Sequence, residues 1–208
     1  MKKVLIINSS ARITNSQSRA MTALFQENWQ RLYPTDHFIF RDLGINPIPH
    51  IDDAWIKASF TKVSDRNAEN QAPLALSNKL VRELKEADII VFGLPMYNWG
   101  VPSGVKSYMD QIMRINETWK FESGEPDGNY VGLLSGKKAY ILSARGDNGY
   151  GCGERNEHMN FQSKYVETIF RIIGIGEIET ISLDSEEYGG ELFQKGKERI
   201  TAMIKAIK

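Results

Sequence analysis

The hydrophobic residues of this chain follow two patterns that alternate from one end to the other. Short runs of consecutive apolar residues are typical of strands that are covered on both faces. Longer segments with an apolar residue at every third or fourth position are typical of amphipathic helices. The runs predict five strands, at residues 4–7, 37–42, 87–94, 138–143 and 177–183. The periodic segments predict helices at residues 16–33, from 73 onward, 103–115, 160–173 and in the last stretch up to 207.

This alternation predicts a parallel sheet with helices on both faces, because parallel strands need a crossover connection between them. We therefore expect an α/β fold. No internal repeat or low-complexity tract divides the chain, so a single domain spanning residues 1–208 is expected. Residues 51–70 are expected to form short helical turns and loop, and residues 116–136 to be irregular.

The composition narrows the range of partners. The 208 residues carry 26 basic and 26 acidic side chains, so no net charge favours nucleic acid or an anionic membrane. No apolar run approaches the roughly 18–20 residues of a membrane-spanning helix, and the N-terminal apolar run is too short for a signal peptide. The single cysteine, Cys152, rules out an intrachain disulfide and favours a reducing compartment, so a cytoplasmic protein is expected. The three histidines lack metal-ligand spacing, and no metal is expected.

The segment after the first predicted strand is rich in groups that bind phosphate. It places hydroxyl and amide side chains where a helix leaves its first N–H groups without partners. These side chains are Ser9, Ser10, Thr14, Asn15, Ser16 and Ser18. Free N–H groups, hydroxyls and the positive end of a helix dipole favour an anion, and Arg12 adds a full positive charge. Since neither a Walker sequence nor GxGxxG is present, the segment taken alone is more typical of an ordinary capped helix.

Two further loops are expected at the same edge, because ligands of parallel α/β sheets bind at the carboxyl ends of the strands. Residues 95–100 follow the third strand and offer Tyr97, Asn98 and Trp99 to a flat ring. Residues 144–153 follow the fourth strand and contain four glycines, which let backbone N–H groups approach a ligand closely. A phosphate site beside two surfaces for a planar ring predicts a mononucleotide cofactor.

Six short segments, taken together, resemble one known family. They are SSARITNSQS at 9–18, DLGINPIP at 42–49, PMYNW at 95–99, TWKF at 118–121, GKKA at 136–139 and ARG at 144–146. In this order and spacing they are similar to the FMN-dependent NADH:quinone oxidoreductases and azoreductases. The resemblance implies a flavodoxin-like fold, in which a doubly wound five-stranded parallel sheet has the strand order 2-1-3-4-5.

The resemblance also implies where a cofactor would bind. FMN would be held non-covalently, with its phosphate on Ser10, Ser16, Gln17 and Ser18. Its ring would lie against the second loop at Pro95, Met96, Tyr97, Asn98 and Trp99, and against the third loop at Ala144, Arg145, Gly146 and Asp147. Trp119 and Phe121 are expected either to stack on a substrate or to seal a dimer interface.

The activity implied by the resemblance belongs mainly to the cofactor. NADH or NADPH would deliver electrons to the flavin and leave, and a quinone or an azo compound would then take them up, in a ping-pong order. No catalytic protein nucleophile is expected. The resemblance implies a homodimer in which the partner subunit completes each flavin site.

Two features depart from the family pattern. Asp147 stands where the family usually has a glycine. A carboxylate that faced the ring would lower the flavin reduction potential by roughly 60 mV, whereas one that points to solvent would have almost no effect. The segment ESGEPDGNYVGLL at 122–134 is a few residues longer than usual and borders the acceptor pocket in relatives, so the acceptor preference carries over poorly.

Three other functions remain open at this point. An electron carrier of the flavodoxin type, without NAD(P)H oxidation of its own, is disfavoured because such carriers are typically strongly acidic and this chain is neutral. A structural dimer that has lost the cofactor would stay colourless when mixed with FMN. An enzyme that uses FMN as a substrate would lose the flavin on dialysis.

Overall fold

The computed structural model describes residues 1–122 and 129–208. The strands in these ranges are β1 (Lys3–Asn8), β2 (His37–Asp42), β3 (Ile89–Pro95), β4 (Trp119–Glu122), β5 (Asn129–Gly132), β6 (Lys138–Ala144) and β7 (Glu177–Leu183). The α-helices are α1 (Gln17–Leu32), α2 (Asp53–Phe60), α3 (Ala68–Gln71), α4 (Ala75–Glu86), α5 (Ser103–Ile112), α6 (Ser163–Ile172) and α7 (Gly190–Ala206).

Five of the strands form one parallel sheet in the order β2-β1-β3-β6-β7. Strand β1 lies between β2, where Val4 is opposite Phe38, and β3, where Val4 is opposite Ile89. Counted along the main sheet this order is 2-1-3-4-5, so the predicted fold class and strand order are confirmed. The order changes direction between β1 and β3, which is where sheets of this type bind ligands.

Helices cover the sheet on both faces. On one face, Leu84 of α4, Met109 of α5 and Phe170 of α6 are buried against the strands. On the other face, Phe25 of α1 and Ile204 of α7 are buried. Neighbouring strand residues belong to opposite layers, which explains why the strand sequences are apolar without a break. In the described ranges no helix is both long and apolar enough to cross a membrane.

The segment 116–136 contains an ordered feature that the sequence did not predict. Strands β4 and β5 form an antiparallel hairpin, with Trp119 opposite Gly132. The hairpin packs closely on the connection before β7, since a Cβ on Gly132 would lie 2.1 Å from the backbone nitrogen of Gly174. Four-residue strands with adjacent glycines carry too short a pattern to stand out in the sequence. Part of the longer segment predicted to affect the acceptor pocket, 123–128, lies outside the described residues.

Between β2 and β3 the predicted short turns occur as α2, α3 and two 3₁₀ turns. The indole N–H of Trp55 on α2 donates to the Gln111 side-chain oxygen on α5 at 2.9 Å, which ties this connection to the core. Helix α5 ends at Ile112, three residues earlier than predicted. The reason is Thr118, whose hydroxyl donates to the Ile112 carbonyl at 2.6 Å and accepts from the Arg114 N–H at 3.1 Å.

Candidate functional site

A cleft opens at the carboxyl ends of β1, β3 and β6. Its volume is about 420 Å³, within the range of roughly 300–1,000 Å³ that is usual for small-molecule sites. Its walls come from the three predicted loops and from a fourth loop, residues 184–189, which follows β7. The lining residues are Ser10, Arg12, Ser16, Gln17, Ser18, Pro95, Met96, Tyr97, Ala144, Gly146, Glu186 and Glu187.

The first loop leads into the N-terminus of α1, which begins one residue later than predicted, with Ser16 as its N-cap. Its backbone is extended (φ −91°, ψ 116°), and its Oγ accepts from the backbone N–H of Arg19 at 3.4 Å. The Oγ atoms of Ser16 and Ser18 are 3.3 Å apart. The backbone N–H groups of Gln17 and Ser18 have no partner within the helix, and the first turn of α1 holds no acidic residue. This end of the cleft therefore suits an anion.

Arg19 holds the first loop in position. Its guanidinium donates to the Asp42 carboxylate (Nη2 to Oδ1, 2.8 Å) and to the carbonyl oxygen of Ser10 at 2.7 Å. Burial alone would raise the pKa of Asp42, but hydrogen bonds from Arg19 and from the N–H groups of Ile45 and Gly44 outweigh burial and lower the pKa. A Cβ on Gly44 would lie 2.1 Å from the Ser10 carbonyl oxygen. Residues 42–44 thus support the first loop. Position 44 requires glycine because any side chain would clash with the Ser10 backbone.

The second loop is a tight turn in which Tyr97 and Gly100 exchange two backbone hydrogen bonds of 3.0 Å. The two residues between them, Asn98 and Trp99, both have left-handed backbones, with φ of 48° and 63°. Neither lines the cleft, and Trp99 is 53% exposed. The turn therefore presents the residues before it to the cleft rather than its own tip.

Met96 and Tyr97 connect the second loop to its two neighbours. The N–H of Met96 donates to the carbonyl of Ala144 in the third loop at 2.8 Å. The phenol oxygen of Tyr97 accepts from the N–H of Ala11 at 3.2 Å and lies 3.3 Å from the Oγ of Ser10, both in the first loop. The predicted juxtaposition of the three loops is thus made by direct hydrogen bonds.

In the third loop, the side chain of Arg145 is buried beneath the loop instead of lining the cleft. Its Nε donates to the Gln162 side-chain oxygen at 2.9 Å and its Nη2 to the Ser163 hydroxyl at 3.2 Å. A carboxylate oxygen of Asp184 lies 3.6 Å from its Nη1. Burial lowers the pKa of Arg145, against the opposing effect of Asp184. Arg145 therefore connects the third loop to α6 and to the fourth loop.

Asp147 does not line the cleft either. Its carboxylate accepts from the N–H of Asn148 at 2.7 Å, from the Tyr188 hydroxyl at 3.1 Å and from Arg155 at 3.2 Å. The Asn148 hydrogen bond is the largest cause of a lowered pKa of Asp147, and Tyr188 and Arg155 add to it. This placement favours the alternative in which the carboxylate has little influence on a ring in the cleft.

The fourth loop contributes two lining residues that the sequence reasoning missed. The N–H of Glu186 donates to the carbonyl of Arg145 at 3.2 Å, and the N–H of Glu187 to the carbonyl of Gly146 at 3.0 Å. The Glu186 carboxylate also accepts from Arg12 at 3.2 Å. A signal was present, because this loop follows the fifth parallel strand and the carboxyl-end rule applies to it as to the others.

Trp119 and Phe121 lie on β4 and do not line the cleft. Phe121 is 55% exposed, and its ring centroid is 6.1 Å from that of Tyr130 on β5. Their role at a substrate pocket or dimer interface stays a prediction. Across residues 1–122 and 129–208, no group of three or more His, Cys, Asp or Glu side chains is placed to hold a metal ion.

Comparison with known proteins agrees with this architecture. The profile of a family with a flavodoxin-like fold matches residues 2–204. FMN-dependent NADH:quinone oxidoreductase 2 of Pseudomonas fluorescens (strain Pf0-1) is 37% identical over 207 residues, covering 100% of both chains. FMN-dependent NADH:quinone oxidoreductase of Nostoc punctiforme is 38% identical over 207 residues, covering 100% of this chain and 98% of its own. The FMN-dependent NADH-azoreductase of Bacillus anthracis, solved in complex with FMN, has a TM-score of 0.83 over 97% of each chain at 24% identity, a likeness of fold.

The sheet order and the matching profile define the protein's class as flavodoxin-like α/β. Within that class, the chain belongs to the family of FMN-dependent NADH:quinone oxidoreductases. The resemblance found in the sequence is therefore confirmed. Since the matches span the chain, they include all four loops of the cleft.

Proposed function

We propose that the chain binds FMN non-covalently in the cleft and transfers electrons from NADH or NADPH to quinones and azo compounds. The relatives are named FMN-dependent NADH:quinone or NAD(P)H:quinone oxidoreductases, and a solved structure of similar fold is named an FMN-dependent NADH-azoreductase. The observation that carries the proposal is the division of one cleft into an anion-binding end at α1 and an end walled by the second and third loops. We also propose that residues 1–208 form a single domain and that each chain has one such site.

At the anion-binding end we assign the phosphate to the four predicted residues. Ser10, Ser16, Gln17 and Ser18 all line the cleft. Ser16 and Ser18 have their hydroxyls beside each other, so these groups and the first N–H groups of α1 converge on one place. Hydrogen bonds to a charged group contribute roughly 1.5–3 kcal/mol each. A few of them account for tight binding of a mononucleotide without a cluster of basic side chains.

At the other end we assign the flavin ring to Pro95, Met96 and Tyr97 on one side and to Ala144 and Gly146 on the other. Bound FMN supplies the two-electron chemistry that connects a nicotinamide donor to a quinone or azo acceptor. The protein residues orient the ring, and no side-chain nucleophile is needed. The small residues Ala144 and Gly146 leave backbone exposed to the ring.

The other four predicted binding residues are proposed to act without lining the cleft. Asn98 and Trp99 form the turn that presents Met96 and Tyr97. Arg145 and Asp147 fix the third loop through their hydrogen bonds. These four residues would thus act by holding the loop backbone in position against the ring.

The proposal also covers the order of the reaction, the oligomeric state and the cellular compartment. We propose two separate half-reactions, with donor and acceptor using the same face of the flavin. We also propose a homodimer, because Phe121 and Tyr130 are 55% and 63% exposed on the hairpin and suit a partner subunit or a substrate. The single cysteine supports the cytoplasm as the compartment.

The test is an anaerobic reaction of the purified, FMN-loaded protein. NADH is added first, and the visible absorbance of the flavin is followed; a small benzoquinone is added afterwards. The proposal expects rapid loss of absorbance followed by full recovery. Bound flavin that NADH does not bleach would instead identify an electron carrier. Flavin lost on dialysis would identify FMN as a substrate, and failure to bind FMN at all would identify a protein without cofactor.

A further inference from the structure

An ion pair connects two loops that line the cleft. The Nη1 of Arg12 in the first loop donates to the Oε1 of Glu186 in the fourth loop at 3.2 Å. Both residues line the cleft, and Arg12 belongs to the loop that leads into the N-terminus of α1. The pair therefore connects the first loop, to which the phosphate is assigned, with the fourth loop.

Arg12 and Glu186 differ in how strongly the rest of the protein fixes them. The side chain of Arg12 is 61% exposed and that of Glu186 only 28% exposed. Glu186 is also fixed through its backbone, since its N–H donates to the carbonyl of Arg145. Exposed pairs of this kind contribute little, because solvent screens the two charges. Arg12 can therefore leave the pair at small cost, while the Glu186 carboxylate stays at the wall.

We propose that Glu186 sets the affinity of the phosphate end, by occupying Arg12 and by placing a negative charge beside the bound phosphate. The inference rests on the proposed function, and it concerns a residue that weakens binding rather than one that supports it. A phosphate group competes with Glu186 for the one N–H group that the carboxylate holds, while the other N–H groups of Arg12 stay available to it. The same carboxylate then faces a group of like charge.

The opposite effect, in which Glu186 orients Arg12 toward the phosphate, is disfavoured by the geometry. The ion pair has one N···O contact, at 3.2 Å, and the arginine side chain is mostly in solvent. A single contact to an exposed side chain fixes little orientation, in contrast to a two-point contact. Repulsion between the Glu186 carboxylate and the phosphate dianion therefore dominates, and Glu186 weakens FMN binding.

The experiment measures dissociation constants of FMN and riboflavin for cofactor-free full-length protein, by quenching of flavin fluorescence. We expect Glu186→Gln to bind FMN about tenfold more tightly than the wild type at low ionic strength. Riboflavin, which has no phosphate, should bind both proteins equally. The FMN difference should shrink at 1 M salt, since the Debye length falls to about 3 Å.

Two further variants complete the test. Arg12→Gln should bind FMN less tightly and riboflavin unchanged, and the effect of Glu186→Gln should be smaller in its background because the two residues are coupled. Glu191→Gln is the matched control: Glu191 forms an ion pair of 2.6 Å with Lys195 on α7 and does not line the cleft. It should leave both constants unchanged.

The measurements distinguish a failure of the Glu186 inference from a failure of the proposed function. If the wild type binds FMN and Glu186→Gln binds it no more tightly, this inference is wrong while the proposed function stands. If Glu186→Gln tightens riboflavin as much as FMN, Glu186 acts through the shape of the cleft, which also overturns the inference. If the wild type binds neither flavin, the proposed function is wrong and the inference falls with it.

Discussion

The first and third loops both border the cleft, but their polar side chains are used in different ways. In the first loop, the hydroxyls of Ser16 and Ser18 lie 3.3 Å apart, and Ser16 also accepts a long hydrogen bond of 3.4 Å from the Arg19 N–H; both serines line the cleft. In the third loop, Arg145 and Asp147 are engaged by several protein groups, and only the small residues around them line the cleft. A charged side chain in a binding loop is thus no proof of contact with the ligand.

This difference separates two kinds of effect. Polar groups that the fold leaves weakly paired are available to a ligand, so their loss should change affinity. Groups that are fully paired within the protein set the path of the backbone, so their loss should change stability. Substitutions in the two loops can therefore be compared by measuring the FMN affinity and the free energy of unfolding of each variant.

The largest expected effect is on stability, from Arg145→Met. The buried guanidinium is bonded to Gln162 at 2.9 Å and to Ser163 at 3.2 Å, and pairs with Asp184 at 3.6 Å. Methionine would remove these hydrogen bonds and leave the Asp184 carboxylate without its nearest cation, so the free energy of unfolding should fall by about 3–5 kcal/mol. Urea unfolding followed by circular dichroism measures the change.

Arg155→Met is the matched control for this prediction. Arg155 is 66% exposed and makes a single contact with Asp147, at 3.2 Å, so its loss should cost less than about 1 kcal/mol. Adding Asp184→Asn to Arg145→Met should restore part of the lost stability, because the unpaired charge is then gone. Equal stability of the two arginine variants would show that Arg145 is not what holds the third loop.

The contrast also explains what the sequence could predict. The sheet order follows from apolar runs and from the rule that parallel strands need crossovers, which are local and general properties. The burial of Arg145 depends on Gln162, the residue just before the next helix, and on Asp184, after the following strand. Neither partner is marked in the sequence, and an arginine beside glycines in a loop looks the same whether it binds a ligand or supports the backbone.

The hairpin and the fourth loop were missed for different reasons. The hairpin has four-residue strands and a glycine that permits close packing on Gly174, a contact between distant parts of the chain. Glu186 and Glu187 follow a strand that was predicted correctly, and the rule that located the other loops applies to them as well. The hairpin thus leaves no pattern in the sequence, whereas the position of the fourth loop follows from the same property of parallel sheets as that of the other three.

A smaller effect, on affinity, is expected from Ser18→Ala in the first loop. The Ser18 hydroxyl has one weak protein partner, Ser16 at 3.3 Å, so unfolding should change by less than about 1 kcal/mol. Loss of a hydrogen bond to the phosphate should weaken FMN binding about tenfold and leave riboflavin binding unchanged. Flavin fluorescence quenching gives both constants. Ser185→Ala, a buried serine that does not line the cleft, should leave FMN binding as it is.

The smallest effect is expected on the reduction potential, from Asp147→Asn. A carboxylate facing the flavin unscreened would lower the potential by roughly 60 mV. In the structure this carboxylate lies 3.2 Å from an Arg155 nitrogen and accepts hydrogen bonds from Tyr188 and Asn148, and it does not line the cleft. Its charge is balanced where it stands, so the midpoint potential of bound FMN, measured by dye-coupled reductive titration, should rise by less than about 20 mV. A rise near the full value would mean that Asp147 turns toward the ring when the flavin binds, and the two loops would then differ less than their present hydrogen bonds indicate.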